Sequence, residues 1–206
     1  MSTSLLFATR LYRAELAEER GFEPLLEDLT DACAMMADED EAGRAWSKAN
    51  GYPGYTSYSS PGPLWTRASA FGDLKTRLDR HARAFALDLG LDLAGGKLRL
   101  DSLWVNVLKP GGGHSGHIHP HSVLSGTTYV EVPPDASGLK LEDPRLAMMM
   151  AAPMRLAEAP ADQQPFFYVT PRAGTLLMWE SWLRHEVPAN SGKTDRVSIS
   201  FNYGWR

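Results

Sequence analysis

Hydrophobic and polar positions follow two different periods along this chain, and the change comes near residue 95. Before it, apolar residues recur every three or four positions, which is typical of helices with one buried face. The segment 23–36 shows this pattern, with Pro24 suited to a first helical position. The segment 68–89 shows it more strongly, with a stripe formed by Phe71, Leu74, Leu78, Phe85 and Leu89. The first half is therefore predicted to be helical.

After Gly95-Gly96 the period becomes two, which is typical of β-strands. Alternating or β-rich runs occur at 98–107, 127–132, 139–141, 166–169, 175–179 and 196–203. Short strands separated by glycine and proline turns indicate a sandwich or barrel. We therefore expect a mainly β protein with N-terminal helices: a helical elaboration over 1–95 packed on a jelly-roll, cupin-like barrel over 96–206, together one compact domain. The segment 51–63 is rich in Gly, Pro, Ser and Tyr and predicts an ordered loop or extended arm.

The last predicted strand has one polar and one apolar face. Its polar face carries Arg196, Ser198, Ser200 and Asn202. On a surface strand such a face would be wet, whereas in a barrel that holds a ligand it can point inward. The alternation alone leaves both arrangements open.

Composition narrows the class of protein. The 206 residues suit one domain, and the net charge of −4 gives no basic footprint for nucleic acid. No apolar run reaches the roughly 18–20 residues of a membrane span, and the N-terminus does not look like a signal peptide, so a cytoplasmic protein is expected. The single cysteine, Cys33, excludes an intrachain disulfide and a cysteine metal cluster, and we expect it to be a small apolar residue of a helix.

Four of the six histidines lie within eight positions, at His114, His117, His119 and His121. Neutral imidazole is a good ligand for iron, zinc, copper and nickel, so such a cluster indicates a metal site. Side chains at i and i+2 of an extended segment point the same way, so His117 and His119 are predicted to hold one ion, with Ile118 buried behind them. His114 and His121 are the spare candidates. A loop of solvated histidines is the alternative.

A third ligand must come from elsewhere, and His185 is the better candidate. It follows a predicted strand and turn, after Trp179 and Trp182, which could form a dry wall. His81 lies inside the second predicted helix and is expected to be a surface or packing residue. Two ligands on one strand and a third from a later strand would form a facial triad with open positions, the geometry of redox iron sites.

The stretch from Leu103 to the end resembles the iron(II)/2-oxoglutarate-dependent oxygenases. It is most similar to a small bacterial and phage family described as 2OG-Fe(II) oxygenases. The similar pieces occur in the expected order at 104–106, 111–120, 125–133, 174–188 and 196–202. Together they cover about half of the chain.

The resemblance implies a double-stranded β-helix with Fe(II) near one mouth and 2-oxoglutarate as co-substrate. His117 and His185 match the two histidines of the metal triad, and His119 falls where the superfamily usually has Asp or Glu. Arg196 and Ser198 match the pair that holds the distal carboxylate of 2-oxoglutarate. A planar guanidinium also suits a bidentate carboxylate contact on physical grounds. The weaker candidates for the same cavity are Tyr129 and Asn106, and an exposed ion pair of Arg196 with Asp195 or Glu186 is the alternative.

Three functions follow from these residues. The first is an oxygenase, expected to be a hydroxylase, that couples oxidative decarboxylation of 2-oxoglutarate to oxidation of a small-molecule or peptide substrate. The others are a three-histidine dioxygenase or isomerase without 2-oxoglutarate, and a non-catalytic metal-binding barrel. Arg196 with Ser198 favours the first. The segment 143–165 contains Met148, Met149, Met150 and Met154, and we favour packing or a homodimer interface over a lid for it.

Overall fold

The computed structural model describes residues 2–206, which form three α-helices and ten β-strands. The helices are α1 (Phe22–Glu39), α2 (Glu41–Ala49) and α3 (Ser69–Asp88). The strands are β1 (Tyr12–Glu15), β2 (Gly54–Thr56), β3 (Leu98–Leu108), β4 (His114–His117), β5 (Leu124–Glu131), β6 (Leu139–Glu142), β7 (Phe166–Val169), β8 (Thr175–Glu180), β9 (His185–Val187) and β10 (Arg196–Trp205).

The strands form two antiparallel sheets. The larger sheet has the order β1-β8-β5-β10-β3-β2, and the smaller sheet has the order β4-β9-β6-β7. Residues from both sheets share a buried apolar cluster, in which Tyr129, Leu177 and Trp179 of the larger sheet pack with Leu139 and Leu141 of the smaller. The sequence prediction of a mainly β jelly roll with N-terminal helices is confirmed.

Helices α1 and α3 cover the outer face of the larger sheet. Phe22 of α1 and Phe71 and Phe85 of α3 are fully buried in one core with Ile199 and Phe201 of β10. Each such side chain contributes roughly 1.5–3 kcal/mol by leaving water. The apolar stripe that the sequence predicted for α3 therefore packs against this sheet.

This packing decides which face of β10 points inward. Because Val197, Ile199, Phe201 and Tyr203 pack under the helices, the polar residues between them must face the smaller sheet. The residues on that face are Arg196, Ser198, Ser200 and Asn202, and all four line an internal cavity. The polar face thus belongs to a site rather than to a wet surface.

The sequence predicted a helical elaboration over 1–95, but this part of the chain also contains two strands. β1 pairs with β8, with Tyr12 opposite Met178, and β2 pairs with β3, with Tyr55 opposite Val107. These two short strands form the two edges of the larger sheet. The N-terminal part is therefore built into the barrel, and the 51–63 segment brings its residues to the cavity. Across residues 2–206, none of the helices has the length and apolar character needed to cross a membrane.

Candidate metal centre

Three histidine side chains meet between β4 and β9. These strands are antiparallel partners, and their register places His117 directly opposite His185. His119 follows two residues after His117, where its backbone N–H donates to the Ser181 carbonyl at 3.0 Å. One ligand nitrogen from each of the three imidazoles lies within 4.8 Å of the other two. The predicted cluster therefore exists as a single group.

The backbone sets the tautomers of two of these histidines. His117 Nδ1 lies 2.7 Å from the Ser115 carbonyl, and His185 Nδ1 lies 2.9 Å from the Leu183 carbonyl. Because a carbonyl oxygen can only accept, Nδ1 carries the proton in both rings. Each Nε2 then keeps its lone pair. Metal-binding histidines are commonly oriented by such a bond from the other ring nitrogen.

Burial keeps two of the imidazoles neutral. Burial, together with the neighbouring histidines, lowers the pKa of His185 to about 3, although the hydrogen bond to the Leu183 carbonyl opposes the shift. Burial and the neighbouring His117 lower the pKa of His119 to about 4. Only the neutral imidazole can bind a metal, so near pH 7 these rings are already in the ligating form. The set of nitrogen donors fits iron, zinc, nickel or copper.

One side of the centre is dry. The Trp179 ring packs on His185 with centroids 4.6 Å apart and is 2% exposed. Trp182, the other tryptophan expected in this wall, is 47% exposed, so only Trp179 provides it. Ile118 was expected to be buried behind the two histidines, but this prediction is wrong, because its side chain is 45% exposed. The reason is that β4 ends at His117, so strand alternation does not continue to residue 119.

The other histidines have different partners. His114 lines the cavity, but its Nε2 is hydrogen-bonded to the Tyr52 hydroxyl at 2.6 Å. His121 is exposed, with a positive φ of 72°. His81 of α3 is buried between the Tyr12 hydroxyl and the Glu19 carboxylate, which makes it the packing residue that the sequence predicted.

Arg196 lies in the same cavity as the three histidines. It is 2% exposed, and its guanidinium lies 4.8 Å from the centre of the Tyr129 ring. Its NH1 group donates to the Ser198 hydroxyl at 3.4 Å. Within residues 2–206 it forms no ion pair, so the alternative pairing with Asp195 or Glu186 is wrong, and Glu186 instead binds Lys140 at 2.7 Å.

The guanidinium is incompletely satisfied. Arg196 Nε and the Tyr129 hydroxyl are both buried, and neither has a hydrogen-bond partner among the described residues. A buried charge without a counter-charge is costly unless an anion joins it. These groups therefore fit a carboxylate ligand, the kind of group that the far end of 2-oxoglutarate carries.

Asn106 also lines the cavity, but its amide is already engaged. Its Oδ1 accepts from the Thr56 hydroxyl at 2.9 Å and the Tyr52 hydroxyl at 3.3 Å, and its Nδ2 donates to the Ser200 hydroxyl at 3.1 Å. This side chain links Tyr52 and β2 to β3 and β10. Its geometry suits positioning of the cavity wall more than contact with a co-substrate.

An aromatic wall that was not predicted from the sequence lies at the mouth of the cavity. The ring centroids of Trp104 and His119 are 6.0 Å apart, those of Tyr58 and Trp104 are 5.4 Å apart, and those of Trp46 and Tyr58 are 6.2 Å apart. Two of these residues come from the N-terminal half. The tyrosine-rich composition of 51–63 was the one signal available, and it could not show that the segment reaches the histidines.

The segment 143–165 contributes no residue to the lining of this cavity. Met148, Met150 and Met154 are exposed, so packing does not explain them. The cavity itself has a volume of about 430 Å³, within the usual range of ligand sites.

The three-histidine cluster and the buried arginine lie within the part of the chain that matches a known family. Residues 102–202 match the family model described as "Putative 2OG-Fe(II) oxygenase". This barrel segment belongs to the 2OG-Fe(II) oxygenase family. All seven residues named as site candidates from the sequence lie inside the matched segment: Asn106, His117, His119, Tyr129, His185, Arg196 and Ser198.

Solved structures of such oxygenases share the fold. A prolyl-4-hydroxylase from Pseudomonas putida is 19% identical, with a TM-score of 0.61, over 95% of this chain and 93% of that one. The α-ketoglutarate-dependent epimerase SnoN from nogalamycin biosynthesis is 16% identical, with a TM-score of 0.65, over 96% and 77%. HygX from Streptomyces hygroscopicus, solved with nickel and 2-oxoglutarate, is 14% identical, with a TM-score of 0.56, over 96% and 82%. No curated protein matches the sequence.

Proposed function

We propose that this protein is an Fe(II)- and 2-oxoglutarate-dependent oxygenase that oxidises an organic substrate, a small molecule or a peptide. His117, His119 and His185 would hold the iron, and Arg196 with Ser198 would hold the far carboxylate of 2-oxoglutarate. The observation that carries the proposal is that one cavity contains both a three-imidazole cluster and a buried guanidinium without a counter-charge. A metal-binding barrel without catalysis has no need of the second feature.

The chain's own residues prepare this site. The Ser115 and Leu183 carbonyls orient two of the imidazoles, and Trp179 keeps water from one side of His185. Tyr129 and Ser198 flank the guanidinium and limit the directions in which it can bind a carboxylate. Bound iron would supply the oxidising chemistry, in which decarboxylation of 2-oxoglutarate to succinate is coupled to oxidation of the substrate. The protein supplies geometry and a shaped cavity.

Release of succinate tests the proposal. The purified protein with Fe(II), oxygen and 2-oxoglutarate should form succinate slowly even without its true substrate, and omission of iron or oxygen should abolish this. His185→Ala should lose the activity, whereas His81→Ala should retain it because His81 lies outside the cavity. Metal binding without succinate formation, with no dependence on 2-oxoglutarate, would favour the three-histidine dioxygenase.

A further inference from the structure

The cavity contains cationic and neutral groups but no carboxylate from the protein. Its lining, as the described residues form it, includes four histidines and Arg196, and no aspartate or glutamate. Two carboxylates of the smaller sheet, which carries His117 and His185, have their own partners: Glu142 pairs with Arg184, and Glu186 pairs with Lys140. Negative charge in this cavity must therefore come from ligands.

Hydrogen-bond donors at the cavity also lack acceptors. Four buried side-chain atoms within residues 2–206 have no partner, and three of them belong to Arg196 and Trp179, which line the cavity, and to Tyr129, whose ring packs on the Arg196 guanidinium. The Trp179 indole N–H can only donate, and its ring packs on His185. Arg196 and Tyr129 are accounted for by 2-oxoglutarate under the proposed function. Trp179, on the histidine side, is not.

The balance of charges in the cavity also indicates an anion on the histidine side, and this step rests on the proposed function. Histidines that bind a metal are neutral, so Fe(II) would bring two positive charges and Arg196 a third. 2-Oxoglutarate carries two negative charges, which leaves one positive charge in a cavity where water is partly excluded. A carboxylate at position 119 would have cancelled it. Because charges interact strongly where water is excluded, this excess favours an anion.

We propose that the cavity binds one further monoanion beside the metal, and that a carboxylate group of the substrate provides it. The neighbouring wall favours an organic acid over a small inorganic ion. Trp104 lies against His119, and Tyr58 and Ile118 extend an apolar surface toward the mouth, which suits the body of a ring-bearing molecule. The substrate class is thus an organic monocarboxylate with an apolar or aromatic face.

Binding to the cobalt-loaded protein tests this without turnover. The visible absorption spectrum of Co(II), at saturating 2-oxoglutarate, would be followed during titration with benzoate, with its uncharged analogue benzamide, and with chloride and azide. Wild type should bind benzoate at least about tenfold more tightly than benzamide. His119→Asp should weaken benzoate binding by more than about tenfold, because its carboxylate supplies the missing charge. His119→Asn, which is equal in size to aspartate but uncharged, is the matched control and should bind benzoate more tightly than His119→Asp.

The outcomes separate the claims. Equal binding of benzoate and benzamide, or equal benzoate affinity in the Asp and Asn variants, overturns the proposal. Binding of chloride or azide without benzoate overturns the assignment to the substrate. If either variant loads no cobalt, the comparison of benzoate with benzamide in wild type decides. A Co(II) spectrum that 2-oxoglutarate leaves unchanged before any anion is added contradicts the proposed function instead.

Discussion

Replacing Arg196 with leucine should separate the stability of the apoprotein from its affinity for 2-oxoglutarate. The guanidinium is 2% exposed, has no carboxylate partner within residues 2–206, and leaves its Nε unpaired. Without ligand it is a desolvated charge, and apolar side chains often replace buried charges at no loss of stability. Arg196→Leu should therefore be no less stable than wild type in urea unfolding of the metal-free protein.

The same change should damage co-substrate binding. Removing one partner of a buried, hydrogen-bonded charge pair costs about 3–5 kcal/mol, and every 1.4 kcal/mol corresponds to about tenfold in affinity. We therefore expect 2-oxoglutarate to bind more than about a hundredfold more weakly, with metal content unchanged because the three histidines are intact. The assay is an oxygen-free titration of the Fe(II) protein, followed by the metal-to-ligand absorption band.

The matched control is Arg172→Leu. That guanidinium is exposed and pairs with Glu15 and Glu18 outside the cavity. Exposed pairs contribute about 0–1 kcal/mol, so neither the absorption band nor the stability should change much. The reasoning is refuted if Arg196→Leu binds 2-oxoglutarate within about tenfold of wild type, or if the metal-free variant is clearly destabilised.

Three further changes test other parts of the structure. His117→Ala, His119→Ala and His185→Ala should each reduce bound metal strongly, whereas His121→Ala should not; equal metal by elemental analysis in all four would show that the cluster is wrong. Asn106→Ala leaves the Thr56 hydroxyl without its acceptor and removes the donor to the Ser200 hydroxyl, so it should cost about 1–3 kcal/mol in urea unfolding, and a change near zero would contradict its positioning role. Burial opposes ionisation of Glu19, but bonds from Arg80, Arg77 and His81 outweigh it and lower its pKa from 4.5 to about 2. A carboxylate whose pKa is lowered in the folded state stabilises the fold fully above its unfolded pKa, and this stabilisation is lost as the pH falls toward 2. Between pH 5 and 2, urea unfolding should therefore show a smaller loss of stability for Glu19→Gln than for wild type. Equal losses in the two proteins would contradict this role of Glu19.

The sequence predicted the parts of the structure that depend on local periodicity. The stripe from Phe71 to Leu89 became α3, and the alternation from Arg196 onward became β10, because one buried face determines each pattern. The metal cluster could be predicted because His117 and His119 are close in the chain. His185 was found by elimination, and the pairing of β4 with β9 explains why it lies opposite His117.

Features that depend on distant contacts could not be predicted in this way. β1 and β2 have four and three residues, too few to show a period, and they are strands only because the sheet offers edges for them. The inward face of β10 depended on where α1 and α3 pack. The burial of Ile118 was predicted wrongly because strand alternation was extended to His119, two residues beyond the end of β4. The aromatic wall joins Trp46 and Tyr58 to Trp104 across the two halves of the chain.

The most direct test of the account is a crystal structure of the oxygen-free Fe(II) protein with 2-oxoglutarate, with diffraction data collected on either side of the iron absorption edge. The account predicts one anomalous peak bound by His117, His119 and His185, with the far carboxylate of 2-oxoglutarate on Arg196 and Ser198. Iron on His114 or His121, or 2-oxoglutarate bound away from Arg196, would contradict it.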